Sequence, residues 1–256
     1  MINAVVRRAA RTLGYEILPR WRLDARAAGE ATRRIFVAYG IETVLDIGAN
    51  RGGYRDFLRH YVEFDGAIHS FEPAPELAEM LSDRAKSDPN WTIHPFALGA
   101  TESQLELNRF SDDVLNSLKA PTDLIYSHLR TKEAGRVTVD VKRLDDVAPA
   151  LPDLCRCFVK MDVQGFEREV IAGGAQVFAT CPAAQAEVGT VPIYQDTLDL
   201  PEAIAVFKSH GLDLAEILTI ARMPDLRARE FDCMFVRPSM LSAGIGRGGV
   251  ASGRKG

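Results

Sequence analysis

Val44-Leu45-Asp46-Ile47-Gly48-Ala49-Asn50-Arg51-Gly52-Gly53 is the stretch that decides the fold. Val44, Leu45 and Ile47 bracket an acid, and glycines follow at once. That pattern predicts a buried strand running into a tight turn. Glycine in such a turn lets backbone approach a ligand with no Cβ in the way. Tyr54, Phe57, Leu58 and Tyr61 then recur at helical spacing, so a helix starts at the turn. Strand, glycine turn and helix N-terminus form the first half of a nucleotide-binding βαβ unit. The second half follows: Ala67-Ile68-His69-Ser70-Phe71 reads as a short strand ending in Glu72-Pro73. Glu72 lies 20 residues after Gly52, where an acid is placed to accept hydrogen bonds from both ribose hydroxyls of an adenosine.

The glycine spacing selects the cofactor. A dinucleotide site wants G-x-G-x-x-G, and here Asn50 stands where the second glycine belongs. Asp46, two residues before Gly48, is unhelpful beside a pyrophosphate but useful beside an ammonium. Asp46-x-Gly48-x-x-x-Gly52 with Glu72 downstream fits S-adenosylmethionine, which carries a zwitterionic amino-acid end and a cationic sulfonium. Two rival readings remain open: a nicotinamide-dependent oxidoreductase on the same fold, and a non-catalytic module that keeps the pocket. The first is disfavoured by Asn50 and by the lack of a Tyr-x-x-x-Lys pair, since Tyr54 is followed by Leu58 and Tyr126 by Arg130.

Bulk properties narrow the class. Apolar residues make up 46% and charged residues 26% of 256, as in ordinary soluble domains, and no apolar run nears the ~20 residues a membrane span needs. Arg7, Arg8 and Arg11 interrupt any secretory core. Cys155, Cys157, Cys181 and Cys233 lack C-x-x-C spacing and read as buried thiols of a cytoplasmic protein. A net charge of −4 argues against a nucleic-acid partner. Residues 1–40 nevertheless hold eight Arg against three acids, net +5, which leaves −9 for the rest. This basic lead-in either packs on the domain or makes peripheral contact with acidic lipid or glycan.

Residues 1–40 read as a helical lead-in, with pieces near 2–13 and 25–39; residues 41–238 as one domain; and 239–256 as a Gly-rich disordered tail. Within the domain, Pro75-Glu76-Leu77 opens a helix. Trp91–His94 reads as a strand and Pro95–Gly99 as a loop. Ser103–Asn108 is an extra strand, and Val137, Val139 and Val141 alternate as another. Residues 110–135 show no period and read as a mobile loop, a lid that orders on acceptor binding. Phe158–Asp162 is a buried strand. A helix from Glu167 to Phe178 is interrupted at Gly173-Gly174 for no reason visible in the sequence. Ala183–Val188 is a strand, Pro201–His210 a helix stopped by Gly211, and Leu212–Leu218 with Phe231–Val236 a closing strand pair. Alternating strands and helices imply an α/β domain with a mostly parallel sheet, whose ligands sit at the carboxyl ends of the strands. Asp46, Glu72, Asp162 and Glu187 all fall there.

Together these residues resemble the FkbM family of S-adenosylmethionine-dependent O-methyltransferases. The resemblance is carried by Leu45–Gly52, Phe71-Glu72-Pro73, Ala97-Leu98-Gly99, Arg143–Asp146, Lys160–Glu167, Glu187 with Val191–Tyr194, and Phe231–Arg237. It implies a Rossmann-like class I methyltransferase fold with a seven-stranded sheet and helices on both faces. It also implies an acceptor hydroxyl on a sugar, glycolipid or polyketide, and adds Ala97 and Leu98 to the cofactor-binding set of Asp46, Gly48, Asn50, Gly52 and Glu72. Where the family often carries Ser-Ser-Leu, this chain has Asn116-Ser117-Leu118.

Methyl transfer to a hydroxyl benefits from a general base or a metal. Asp162 is the foremost base candidate; its competing role is to cap the helix that begins near Phe166. Glu187, one strand over, either joins Asp162 around Mg²⁺ through oxygen ligands or binds the acceptor. His128 is the fallback base. His69 and His94 read as buried and hydrogen-bonded. Lys160, out of phase with its apolar neighbours, is expected to pair with an acid across the sheet.

Overall fold

The computed structural model describes residues 20–241 apart from 130, 153 and 224, with backbone only at 20–24 and 128–129. The expected helix near 2–13, the basic segment before residue 20 and the tail beyond 241 lie outside the described residues, as does the His128 side chain. Helix α1 spans Arg20–Tyr39, starting ahead of the expected residue 25. It packs on the domain: its Gly29 leaves no room for a Cβ, which would sit 2.7 Å from the Tyr61 carbonyl oxygen. Phe36 from α1 meets Phe64 at 5.1 Å and Phe158 at 4.9 Å in the core.

The first βαβ unit is strand β1 (Thr43–Ile47), helix α2 (Gly53–Phe57) continued by a π turn at Leu58–Val62, and strand β2 (Ala67–Phe71). Helix α3 (Pro75–Ala85) leads to β3 (Trp91–His94). Strand β7 (Cys157–Met161), helices α6 (Glu167–Gly173) and α7 (Ala175–Thr180), strand β8 (Ala183–Gly189), helix α8 (Leu200–Ser209) and the hairpin β9 (Asp213–Arg222) and β10 (Ala228–Val236) complete the main sheet. Its order is β3-β2-β1-β7-β8-β10-β9, with β10 antiparallel to both its neighbours and the other pairs parallel. Every residue of β1 and β7 is buried, as expected of central strands covered on both faces.

Three expectations need correction. The loop Pro95–Gly99 contains a two-residue strand, β4 (Ala97–Leu98), which joins β6 (Glu133–Lys142) and β5 (Ser103–Phe110) in a second sheet. A pair of residues is too short to show a period. Residues 110–135 are not all loop: the described ones contain a 3₁₀ turn at Asp113–Leu115, helix α4 (Asp123–Leu129) and the start of β6. Buried Leu115 and Ile125 pack with Ile193 and Tyr194, and the Tyr194 hydroxyl donates to the Leu115 carbonyl at 2.6 Å. Finally, Cys155 is exposed, while the other three cysteines are buried. It lies on the 3₁₀ turn Leu154–Arg156 that precedes β7, not within the strand.

The interruption at Gly173-Gly174 now has a cause. A Cβ on Gly173 would lie 1.9 Å from the Gly99 carbonyl oxygen. The helix breaks into α6 and α7 where the backbone behind β4 leaves space for hydrogen alone. Helix α5 (Leu144–Val147) braces the second piece, since Asp145 accepts from the amides of Gln176 and Val177. No described helix is long and apolar enough to cross a membrane.

Candidate active site

At the carboxyl ends of β1, β2, β7 and β8 lies a cavity of about 450 Å³. Its first wall is the glycine turn. Gly48 has φ +80°, and a Cβ there would lie 1.9 Å from the Asp162 carbonyl oxygen. Only glycine fits, so the ends of β1 and β7 meet in backbone contact. The Gly48 and Ala49 amides donate to the Phe71 carbonyl at 3.0 and 3.1 Å, which ties the turn to β2. Asn50 also sits at positive φ, 47°. Its amide donates to Glu72 Oε2 at 2.7 Å, and the Ala74 amide donates to Glu72 Oε1 at 2.9 Å. Glu72 therefore holds the turn together as well as lining the cavity. Burial pushes its carboxyl up to about 7, although these amides pull the other way.

Gly48, Asn50, Glu72, Ala97, Leu98, Asp162 and Glu187 all line the cavity. Asp46 and Gly52 do not. Asp46 is fully buried beneath the floor. It accepts from Ser70 Oγ at 3.0 Å and pairs with Lys160 Nζ at 3.1 Å. Lys160 Nζ also donates to the Gly48 carbonyl at 3.1 Å and stands 3.8 Å from Asp162 Oδ2. Burial alone would discharge Lys160, but Asp46 and Asp162 outweigh it and its pKa rises, so the ammonium persists. The sequence had placed Asp46 beside the ligand; on a strand buried along its whole length it turns inward to Ser70 and Lys160 instead. Gly52, at φ +79°, caps α2 and packs on Leu81 and Trp91.

The second wall comes from β7 and β8. Asp162 is about a third exposed. It does not cap α6: that helix has no side-chain cap. The buried Glu167 takes the neighbouring amides instead, with its Oε1 3.2 Å from the Val163 nitrogen and 3.4 Å from that of Gly165. Asp162 is thereby left facing the cavity. Gln164, at φ 51°, donates from one amide nitrogen to Asp162 Oδ1 at 2.9 Å and Glu187 Oε1 at 3.3 Å. A non-glycine residue held in this region is a strained conformation of the kind that concentrates at functional sites. Glu187 is pushed far above the usual carboxyl range by burial and then by Asp162, Glu230 and Asp232, so it is protonated at neutral pH. Among the described residues no three His, Cys, Asp or Glu side chains form a metal-holding group. Asp162 and Glu187 share one amide donor, that of Gln164.

Asp112–Leu118 forms the third wall, with Asn116, Ser117 and Leu118 among its lining residues. Buried Ser117 donates to the Gln164 carbonyl at 2.7 Å and accepts from the Lys119 amide at 2.9 Å, which fixes the strained turn. Asn50 Nδ2 donates to the Asp113 carbonyl at 3.0 Å, and Arg51 Nε to Asp113 Oδ2 at 2.8 Å. The glycine turn and this wall are thus latched across the cavity. His69 and His94 are half-buried and bonded to each other, Nδ1 to Nε2 at 3.1 Å. Sequence reading missed Gln164, Glu167, Arg229 and Glu230, whose importance arises from where the chain brings them. The positive φ at Gln164 had one visible cue, the Gly165 that follows it.

Among the described residues the cavity is lined by six acidic residues (Glu72, Asp112, Asp113, Asp162, Glu187 and Glu230) and a single basic one, Arg229. Even with Glu187 protonated the acids outnumber the one base, and such a lining suits a cationic ligand such as a sulfonium with an ammonium. Comparison with known proteins agrees. The methyltransferase FkbM domain matches residues 46–214. The 2-O-methyltransferase NoeI of Sinorhizobium fredii is 23% identical over 177 residues, which cover 66% of this chain and 72% of that protein. A crystal structure of a methyltransferase FkbM from Methylobacillus flagellatus aligns with TM-score 0.50 and 16% identity over 75% of this chain. The present chain covers 43% of that one, and the likeness shows a shared fold. A family match over most of the chain, on a sheet whose glycine turn and acidic rim form one cavity, places the protein in the FkbM family of S-adenosylmethionine-dependent methyltransferases.

Proposed function

We propose that the protein is an O-methyltransferase that alkylates a hydroxyl of a sugar, glycolipid or polyketide-type acceptor, with Asp162 as the general base. One observation carries the reading: Asp162 ends β7 facing the cavity and relieved of helix capping by Glu167, while its own carbonyl touches the glycine turn. The similarity to a 2-O-methyltransferase supports oxygen as the acceptor atom.

Glu72 and the Gly48–Asn50 turn would hold the adenosine, with Ala97 and Leu98 against its base. Glu72 has spare lone pairs, since each oxygen accepts one amide and a carboxylate offers about four sites. Bound there, S-adenosylmethionine supplies an electrophilic methyl group on a sulfonium. Asp162 accepts the proton of the acceptor hydroxyl. Lys160 Nζ stands 3.8 Å behind that carboxylate. Protonated Glu187 donates a hydrogen bond to an acceptor oxygen. Asp46 acts indirectly, by anchoring Lys160.

The test is incubation of purified protein with isotopically labelled S-adenosylmethionine and a panel of glycosides, glycolipids and polyketide alcohols, with NMR assignment of the product. A new methyl ether is the expected product. Label on nitrogen or carbon, or cofactor binding with no transfer to any hydroxyl, overturns the reading.

A further inference from the structure

Arg229 and Glu230 open strand β10 at the rim of the cavity, beside the end of β8. Consecutive residues on a regular strand point to opposite faces. Here the register of β10 shifts between Ala228 and Glu230 and again between Glu230 and Phe231. Such irregularities re-aim side chains next to active sites. The result is that both residues line the same cavity, with Arg229 Nη2 donating to Glu230 Oε2 at 2.9 Å. Both are mostly buried, at 19% and 16% side-chain exposure.

Arg229 Nε is buried and finds no hydrogen-bond acceptor among the described residues. A buried guanidinium N–H without a partner is costly and uncommon, so a site that keeps one is shaped for a ligand oxygen. The charge around it says which kind. Glu230 already neutralises Arg229, and Asp162 lies in the same lining, so an added anion would be repelled. An added cation would meet the guanidinium. A neutral group that both donates and accepts satisfies the pair, and two adjacent hydroxyls do so best: one oxygen accepts from Arg229, and the neighbouring hydroxyl donates to Glu230.

We infer that the Arg229–Glu230 pair is the acceptor-recognition element and that it reads a vicinal diol on a neutral polyhydroxylated acceptor, beside the hydroxyl presented to Asp162. This rests on the O-methyltransferase reading above. The glycine turn and Glu72 lie over β1 and β2, separated from β10 by β7 and β8, so the pair leaves cofactor binding untouched.

The experiment is an NMR binding titration of the S-adenosylhomocysteine-loaded protein with methyl α-D-mannopyranoside, methyl α-D-glucopyranoside and methyl β-D-galactopyranoside, each beside its 3-deoxy analogue, which breaks either ring diol. At least one parent glycoside should bind about tenfold or more tightly than its deoxy analogue. Arg229→Ala should weaken the parent by a similar factor and abolish that preference, with S-adenosylhomocysteine affinity unchanged. Arg229→Lys, which keeps the charge and stem but lacks the Nε–H, should behave likewise and guards against a folding defect in the alanine variant. An undiminished preference in both variants overturns the role of Arg229 while leaving the O-methyltransferase reading intact. Tighter binding of the 6-phosphate or uronate derivative than of the neutral parent overturns the neutral-diol assignment. Binding of no glycoside by the wild-type protein, with S-adenosylhomocysteine bound, overturns the inference, and methyl transfer to a non-sugar hydroxyl in the labelling assay then tells whether the broader reading survives.

Discussion

The two ends of the cavity are built from different materials. Over β1 and β2 the wall is mainly backbone: glycine φ values, amides on the Phe71 carbonyl, and one carboxylate clamping two further amides. Over β7, β8 and β10 it is mainly side chain: Asp162, Gln164, Glu187, Arg229 and Glu230, drawn from three strands and the turns beside them. The first design suits a ligand that never varies, because backbone geometry changes little on substitution. The second suits an acceptor whose identity can be retuned one side chain at a time. It also carries the strongest electrostatic perturbation, since packing several carboxyls into one buried rim forces Glu187 to keep its proton.

The largest effect that would sharpen this contrast is catalytic. Asp162→Asn should cut turnover ~10²–10⁴-fold while S-adenosylhomocysteine affinity stays near wild type. A drop in melting temperature in place of lost turnover would make Asp162 a structural residue and erase the distinction between the ends. Next comes Glu72→Ala, which should weaken cofactor binding by about 1.5–3 kcal/mol, read by calorimetry. Because Glu72 also clamps the Asn50 and Ala74 amides, the apo variant should melt lower too. Unchanged affinity would mean that the Glu72 carboxylate does not touch the cofactor.

Gly48→Ala should cost about 1–3 kcal/mol from its positive φ alone, read as a melting shift. The collision with the Asp162 carbonyl adds to that and should pull the β1 and β7 ends apart.

The pH dependence is a subtler probe. Burial raises Glu72 from the ordinary 4.5 to about 7 and Asp232 from 3.8 to about 6. Glu167 is likewise raised to about 7. The folded chain therefore binds protons that the unfolded chain releases. Stability from these groups is fully present below about pH 4 and is lost as pH rises toward 7. The apo protein should melt several degrees lower at pH 8 than at pH 5.5. Glu187→Gln should flatten the slope, because the amide has no proton to surrender. A slope that is unaffected would mean Glu187 titrates normally. The smallest effect is expected from Asp113→Ala. It removes the Arg51 contact but spares the carbonyl bond from Asn50, and should loosen the Asp112–Leu118 wall, visible as faster protease cleavage there.

Legibility in the sequence follows the same divide. The strand, glycine turn, helix and downstream acid of the first βαβ unit are local, so periodicity and spacing over Val44–Glu72 revealed them. The parallel sheet followed from alternating apolar runs, and Lys160 was visibly out of phase with its strand. The wall at 110–135 was hidden because its 3₁₀ turn and short helix are below the length at which a period emerges; burial of Leu115 and Ile125 against Ile193 and Tyr194 orders it. The break at Gly173 depended on Gly99, far away in the chain. The orientation of Asp46 was also undecidable from spacing, because a strand covered on both faces carries no polar-apolar alternation to say which way an acid points. The sequence by itself determined the fold and the glycine-turn end of the cavity, which one contiguous segment builds. Only the tertiary structure decided the opposite end: that Glu167 frees Asp162, that Gln164 joins two carboxyls, and that an irregular β10 turns Arg229 and Glu230 into the same cavity. Those are contacts between elements, set by close packing across the sheet, and a one-dimensional pattern does not encode the distance between residues that meet only when the chain folds.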